Sequence, residues 1–261
     1  MEITTILGVL VGVIAVVGAM IFKGISFTVF NNPAALFVIF VGTAATILNS
    51  FPGKNLKCLG ALFKILFTKQ NIGSESDLIK LMIELAVEAR KEGLLSLEAK
   101  SNEIEDPFIR KGIRMVVDGM SEEYIVDVLG TEIEAMEARH ATNASIFSSA
   151  GMYAPTLGVL GAVFGLIAAM SHIDEIEVMA HAVAAAFIAT ILGIWTGYVL
   201  WNPFATKLKV KSQDEVLLKG MAIEGLLSIQ KGDSPVMVQD KLLSVLPQSK
   251  QDQVLAELNR E

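Results

Sequence analysis

The stretch SSAGMYAPTLGVLGAVFGLIAAM, residues 148–170, contains no aspartate, glutamate, lysine or arginine. A helix of this length, rising 1.5 Å per residue, crosses the roughly 30 Å hydrocarbon layer of a bilayer. Three more segments have similar length and also lack these four residue types: residues 3–22, 33–51 and 178–201. The sequence therefore predicts an all-α membrane protein with four transmembrane helices.

The composition agrees with a membrane protein. The chain is 52% hydrophobic, its mean hydropathy is +0.55, and the excess over soluble proteins lies in the four segments. We expect the first segment to be retained, because Glu2 replaces the basic start of a secretory signal and no small-residue cleavage site follows. The net charge of −7 argues against a nucleic-acid partner.

Charge predicts the orientation. Lysines follow the second and fourth segments, whereas the loop between the third and fourth carries acidic residues only. The positive-inside rule then places residues 52–147 and the tail from residue 203 in the cytoplasm, together with both termini. The residues concerned are Lys54, Lys57, Lys64 and Lys69, then Lys207, Lys209, Lys211 and Lys219, against Asp174, Glu175 and Glu177.

Four parts follow from this pattern: transmembrane helices 1 and 2 (1–51), a cytoplasmic helical domain (52–147), transmembrane helices 3 and 4 (148–202) and cytoplasmic C-terminal helices (203–261). Helix signals in the polar parts are a capping box at Ser74 and Asp77, a C-cap at Gly93, and starts at Pro107, Ser121, Ser212 and Ser234-Pro235. We expect the helix from Ser121 to continue into the third segment, the last tail helix to end at Pro247, and the residues after Pro247 to fray.

Glycines spaced four apart favour close helix contacts in lipid, either within one subunit or between subunits. The pairs are Gly8 and Gly12, Gly161 and Gly165, and Gly193 and Gly197. The deep polar groups of the fourth segment are the hydroxyls of Thr190 and Thr196, which either line a water path or bond to their own backbone. Neither hydroxyl can carry a proton-linked charge at neutral pH, so the titrating group of any ion path must come from another polypeptide.

Catalytic and metal motifs do not appear in the sequence. There is no phosphate-binding Gly-Lys-Ser/Thr loop, no His-Glu-x-x-His and no Gly-x-Ser-x-Gly. The three histidines lack the spacing of metal ligands, and the single cysteine, Cys58, excludes an intrachain disulfide. We therefore expect a protein that is not an enzyme and that has no metal site and no cofactor.

Two motifs carry a resemblance to a known family. The run YAPTLGVLGAVFGL (153–166) and the run EARKEGLLSLE (88–98), together with Asn202-Pro203, resemble the MotA family of stator subunits of the bacterial flagellar motor. The resemblance covers essentially the whole chain. It implies a multi-pass protein of the inner membrane, in which five copies surround two copies of a single-pass partner, MotB.

The resemblance also implies roles for individual residues. MotB would supply the ion-binding aspartate and a peptidoglycan anchor, and Pro155 and Pro203 would couple ion passage to movement of the cytoplasmic part. Arg90, Lys91 and Glu98 would contact the rotor protein FliG. The residues expected to line the ion pathway are Tyr153, Thr156, Ala162, Ala189 and Thr190.

The ion is predicted to be a proton. Sodium-driven relatives carry threonines at the positions of Ala162, Ala189 and Thr190, and here two of the three are alanine. The alternative family is an ExbB- or TolQ-like energising subunit, which has three crossings and its large cytoplasmic region after the first. A self-contained transporter would show an intramembrane charge or inverted repeats, and neither is seen.

Overall fold

The computed structural model describes residues 2–26, 32–68 and 73–258, so the predicted topological lysine Lys69 lies outside the described residues. Within these ranges every regular element is a helix. Four helices are long and apolar enough to cross a membrane, and they contain the four predicted segments except for Phe51, the last residue of the second. The all-α architecture with four candidate spans is thereby confirmed.

The chain divides into two compact units. One, here called the membrane unit, comprises Met1–Gln70 and Arg139–Val210, and the other, the polar unit, comprises Asn71–Ala138 and Lys211–Glu261. The division places residues 52–70 with the membrane-spanning helices. The four predicted domain boundaries stay a prediction.

The membrane unit begins with α1 (Ile3–Phe22). The second crossing is built from α2 (Pro33–Leu36), a π-helical turn (Phe37–Val41) and α3 (Gly42–Ser50). Two short helices follow, α4 (Gly53–Leu56) and α5 (Leu59–Phe67). In α5, Leu62 and Leu66 are buried with Phe147 and Phe204, which fixes this helix to the rest of the unit.

The polar unit contains α6 (Glu75–Glu92), a 3₁₀ turn (Leu94–Ser96), α7 (Leu97–Ser101) and α8 (Pro107–Val117). The capping box of α6 is confirmed, since Ser74 Oγ accepts from Asp77 N–H at 3.1 Å and Ser74 N–H donates to Asp77 Oδ2 at 3.1 Å. Gly93 ends α6 with φ +87°, a conformation that favours glycine. Pro107 starts α8 as predicted, after the N-cap Asp106.

One helix, α9 (Glu122–Met170), runs for 49 residues and includes Pro155. It confirms the expectation that the helix near Ser121 continues into the third crossing. The helix continues through Pro155 although glycines and a threonine lie close to it, and the packing of this stretch against the fourth crossing compensates for the hydrogen bond that proline cannot make.

The fourth crossing is α10 (Ile176–Trp195), followed by a π-helical turn (Thr196–Trp201) and α11 (Asn202–Gln230). The prediction that a helix starts at Ser212 is wrong, because Ser212 lies inside α11 and is buried. A capping pattern starts a helix only where the preceding residues leave helical geometry, and Phe204–Lys211 contains no glycine or proline to make them do so.

The tail ends in α12 (Pro235–Ser244) and α13 (Gln248–Leu258). Ser234 caps α12, which ends before Pro247 as predicted. The prediction of fraying after Pro247 is wrong over Gln248–Leu258, because tertiary contacts stabilise a helix too short to persist alone. Val254 is buried in the core of the polar unit, and Lys250 Nζ lies 2.5 Å from Glu75 Oε1 on α6.

Candidate functional site

The contact between α9 and α10 is made by backbone rather than by side chains. A Cβ placed on Gly193 would lie 2.7 Å from the Cα of Gly158 and 2.7 Å from the carbonyl oxygen of Ala154. No real Cβ tolerates such distances from backbone atoms. Glycine is therefore required at both positions, and the backbones of the two helices are in direct contact here.

This glycine seam extends along both helices. A Cβ on Gly165 would lie 2.9 Å from the Cβ of Ala186, and one on Gly161 would lie 3.3 Å from the Cβ of Ala189. The pairs predicted in the third and fourth crossings thus pack within the chain. The two glycines of α1 differ, because Gly12 packs against Val199, whereas a Cβ on Gly8 would meet no described atom outside its own stretch of helix within 4 Å.

Both predicted coupling prolines lie next to the π-helical turn of the fourth crossing: Pro155, on α9, packs against the turn, and Pro203 follows it in sequence. Pro155 is half-buried, and its Cγ would lie 2.8 Å from a Cβ at Gly197, so its ring fills the space that this glycine leaves. Asn202 N–H donates to the carbonyl of Gly197, five residues back, and the exposed Pro203 follows. Turns of this kind are frequent at functional sites.

Sequence reasoning missed the π-helical turn. Pro203 has no N–H and therefore frees a carbonyl of the preceding turn, which indicates an irregular hydrogen-bond ladder here but does not specify a π-helical one.

The predicted lining residues lie on α9 and α10, and the hydroxyls of the two threonines among them are already bonded to their own helices. Thr190 Oγ1 donates to the carbonyl of Ala186 at 3.4 Å, and Thr156 Oγ1 donates to that of Tyr153 at 2.7 Å. Thr196, which is buried, donates to the carbonyl of Leu192 at 2.8 Å. The hydroxyls of Thr190 and Thr196 were expected either to line a water path or to bond to their own backbone, and in the single chain both bond to their own backbone.

Exposure separates the lining residues further. Thr156 is exposed, Tyr153, Ala162 and Thr190 are half-buried, and Ala189 is fully buried in the glycine seam. In the described parts of the chain, no group of three or more His, Cys, Asp or Glu side chains is placed to hold a metal ion. Whether these residues line an ion pathway stays a prediction.

A second candidate surface lies in the polar unit, at the corner where α6 turns into α7. Arg90 and Lys91 occupy the last turn of α6, and Glu98 lies in the first turn of α7. All three side chains are exposed, and none of them forms an ion pair within residues 2–26, 32–68 or 73–258. The fold places the three charges near one corner, and within the described residues it gives them no oppositely charged partner.

The corner is rigidly built. Leu97 is fully buried in the core, and Ser96 Oγ donates to the carbonyl of Gly93 at 2.8 Å. Lys100 Nζ on α7 lies 3.4 Å from Glu88 Oε2 on α6, which joins the two sides of the corner. Sequence reasoning did not identify this ion pair, since Glu88 and Lys100 are separated by a turn whose geometry depends on Gly93.

The opposite end of α6 carries two shifted carboxylates. A hydrogen bond from Lys250 lowers the pKa of Glu75, and hydrogen bonds from Ser74 lower the pKa of Asp77. Both groups lie in the first turn, where negative charge also stabilises the helix dipole. The site-bearing helix is thus fixed at its start by charge and at its end by Gly93.

Comparison with known proteins gives a consistent answer. Residues 100–221 match the MotA/TolQ/ExbB proton channel family. Motility protein A of Bacillus subtilis is 48% identical over 95% of this chain and 92% of that protein, and motility protein A of Helicobacter pylori is 35% identical over 94% and 95%.

Solved structures agree with the sequences. A chain of the flagellar MotAB stator complex from B. subtilis matches with a TM-score of 0.90 and 47% identity, over 96% of this chain and 98% of that one. A chain of C. jejuni MotAB matches with a TM-score of 0.89 and 31% identity, over 95% and 97%.

Proposed function

The chain belongs to the MotA family within the MotA/TolQ/ExbB proton channel family, and on that premise we propose that it is a stator subunit of the bacterial flagellar motor. A stator converts ion flow across the membrane into rotation of the flagellum. The observation that carries the proposal is the match to a chain of a MotAB stator complex, with a TM-score of 0.90 and 47% identity over nearly the full length of both chains.

The partner is a MotB-type protein. The four apolar segments contain no carboxylate, so an ion-binding aspartate has to come from a second polypeptide. The relative of known structure is itself an assembly of A and B subunits. We propose five copies of this chain around two copies of the partner, with Pro155 and Pro203 coupling ion passage to movement.

The transported ion is a proton. Sodium requires oxygen ligands to replace its hydration shell, and Ala162 and Ala189 offer none. The hydroxyl of Thr190 bonds to its own helix. A proton needs only water and the partner's aspartate, which suits this lining. Swimming speed that follows external sodium at fixed pH would contradict a proton-driven stator.

The polar unit acts on the rotor from the cytoplasm. Exposed Lys54, Lys57 and Lys64 follow the second crossing, which supports cytoplasmic termini by the positive-inside rule. Arg90, Lys91 and Glu98 lie on one rigid corner with no ion pairs of their own in the described ranges, so they are available to opposite charges on FliG. Exposed charges steer association more than they tighten it, so single substitutions have modest effects.

Gene deletion tests the proposal. Deleting the gene should leave full-length filaments, visible by electron microscopy, on cells that do not swim in soft agar. The wild-type gene should restore swimming, and a version carrying Arg90→Glu with Glu98→Lys should restore it poorly. Asp240→Lys, a reversal at another exposed residue of the polar unit, is the matched control and should restore swimming.

Two results would redirect the proposal. Normal swimming after deletion indicates either a second stator set or a wrong function, and deleting both sets separates these explanations. Missing filaments would indicate a role in flagellar assembly instead.

A further inference from the structure

The membrane unit contains a groove of about 420 Å³ that is lined only by apolar side chains. It lies among α1, α5 and the π-helical turn that precedes α11. Its main lining residues are Ile6, Leu10, Phe63, Phe67, Trp201 and Phe204. The predicted ion pathway and the charged corner of the polar unit use none of these residues.

Aromatic contacts hold one wall of the groove in place. The ring of Phe204 packs edge-on against Phe67 at 5.9 Å, against Trp201 at 6.4 Å and against Phe63 at 6.5 Å between centroids. Such edge-to-face contacts fix ring orientation. The groove is therefore pre-formed, as binding sites for apolar ligands usually are.

The position of the groove indicates what fills it. Ile6 and Leu10 lie in the first two turns of a membrane-spanning helix, so the groove begins where hydrocarbon meets the membrane surface. This end of α1 is tied to α5 by Thr5 Oγ1, which donates to the carbonyl of Leu66 at 3.0 Å, and by Glu2 N–H, which donates to that of Phe67 at 3.0 Å. At this depth the natural occupant is an acyl chain.

The charge around the groove selects among lipids. Five lysines of the membrane unit follow its second and fourth crossings in sequence, namely Lys54, Lys57, Lys64, Lys207 and Lys209, and Lys207 Nζ reaches this end of α1, 2.6 Å from Thr5 Oγ1. Glu2, the acidic residue at this end, is paired with Lys207 at 3.0 Å. The remaining acidic residues of the unit, Asp174, Glu175 and Glu177, lie at the far end of α10.

Lys64 is the best-placed lysine. It follows Phe63 directly and precedes Phe67 by three residues, so it borders the aromatic face of α5. Its side chain is exposed and forms no ion pair in the part of the chain that the structure describes. An anionic headgroup above the groove would meet this ammonium while its acyl chain lies along the rings.

We propose that this groove binds one anionic phospholipid, with an acyl chain against Phe63, Phe67, Trp201 and Phe204 and the headgroup at Lys64. The site depends on the membrane unit alone and does not require the stator function. A neutral lipid would fill the groove without using Lys64, and a second copy of the chain would exclude lipid altogether.

The chain has two tryptophans, which makes the groove directly measurable. Trp195→Phe leaves Trp201 as the reporter in the groove. The purified full-length variant is reconstituted in vesicles of phosphatidylglycerol and phosphatidylcholine in equal amounts, with bromine, a fluorescence quencher, on the acyl chains of either one lipid or the other. Total composition stays the same, so any difference in quenching reports which lipid occupies the groove.

We expect brominated phosphatidylglycerol to quench Trp201 more strongly, with an enrichment of about fivefold, the ratio that corresponds to the attraction of one lysine to an anionic surface. Lys64→Gln should abolish the difference. Lys23→Gln, an exposed lysine at the opposite end of α1, is the matched control and should preserve it.

Other outcomes overturn the proposal. Equal quenching by the two brominated lipids means an unselective lipid surface. No quenching by either means that protein covers the groove. Trp201→Phe, which leaves Trp195 with its Nε1 bonded to the carbonyl of Gly12 at 3.0 Å, supplies the background for both comparisons.

Discussion

The interior of the membrane unit and the interior of the polar unit are packed in opposite ways. In the membrane unit, glycines bring α9 and α10 into backbone contact, with Gly158 and Gly193 at its centre. In the polar unit, large side chains such as Leu85, Phe108 and Leu226 fill a core. In water, the hydrophobic effect drives the burial of apolar side chains in the polar unit. Lipid tails are as apolar as leucine, so helix contacts in the membrane unit are stabilised by close van der Waals packing instead. Adding a methyl group should therefore harm one unit, and removing methyl groups should harm the other.

The largest effect should follow from filling the glycine seam. Gly193→Val places a branched side chain where a Cβ alone would lie 2.7 Å from backbone. Backbone atoms cannot move aside as a flexible side chain can, so we expect a loss above about 3 kcal/mol and a protein that fails to restore swimming. Membrane-fraction abundance and thermal unfolding in detergent measure the stability.

The control for this substitution is Gly18→Ala. A Cβ on Gly18, in α1, would meet no atom outside its own stretch of helix within 4 Å among the described residues, so added volume should be tolerated there. If Gly193→Val were as stable as wild type, the contrast between the two units would fail.

The core of the polar unit should respond to the reverse change. Leu85 is fully buried and Leu95, ten residues later, is 74% exposed. Leu85→Ala should cost about 2–5 kcal/mol through lost burial and a residual cavity. Leu95→Ala should cost less than about 0.5 kcal/mol. Thermal unfolding of both variants gives the comparison, and equal losses would mean that burial does not control stability in this unit.

Charge contributes at a smaller scale, and the pair of Glu75 and Lys250 in the polar unit is an example. Lys250 lowers the pKa of Glu75, so the pair stabilises the folded chain above the pKa that Glu75 has when unfolded. The stabilisation is lost as the pH falls through the lower, folded-state value. Because both groups are partly exposed, the contribution is at most about 1 kcal/mol.

Hydrogen exchange of α13 measures this contribution. Protection of Gln248–Leu258 should weaken on acidification below the ordinary pKa of glutamate. Glu75→Gln should show the weaker protection already at neutral pH and little further change with acid. Identical pH profiles for the variant and the wild type would show that the ion pair between Glu75 and Lys250 does not stabilise α13.

The sequence predicted the elements whose cause is local. Four uncharged segments of bilayer length, the Ser74 capping box and the Gly93 C-cap all depend on neighbouring residues, and the structure confirms them. Tertiary causes were missed. The helix predicted at Ser212 is absorbed into α11, and α13 forms because Val254 and Lys250 find partners distant in sequence.

The candidate site divides in the same way. The resemblance to the MotA family, rather than residue spacing, pointed to Arg90, Lys91 and Glu98, and the structure places all three as exposed residues where α6 turns into α7. Spacing could not show that Ala189 is buried against Gly161, because this contact depends on how α9 packs against α10.

The smallest effect should come from a hydroxyl in the membrane unit. Thr190 Oγ1 bonds to the carbonyl of Ala186, on its own helix. Thr190→Val keeps the shape and removes this bond, so we expect less than about 0.5 kcal/mol of change and near-normal swimming. Ala189→Val, one residue away, should be far worse, since Ala189 is fully buried in the glycine seam.

The pair of variants separates packing from chemistry. If Thr190→Val folds normally and yet stops swimming, the hydroxyl takes part in ion passage, and the lining of the fourth crossing does more than permit close contact. If only Ala189→Val fails, this part of the crossing acts through fit alone, and the ion depends on groups that the partner supplies.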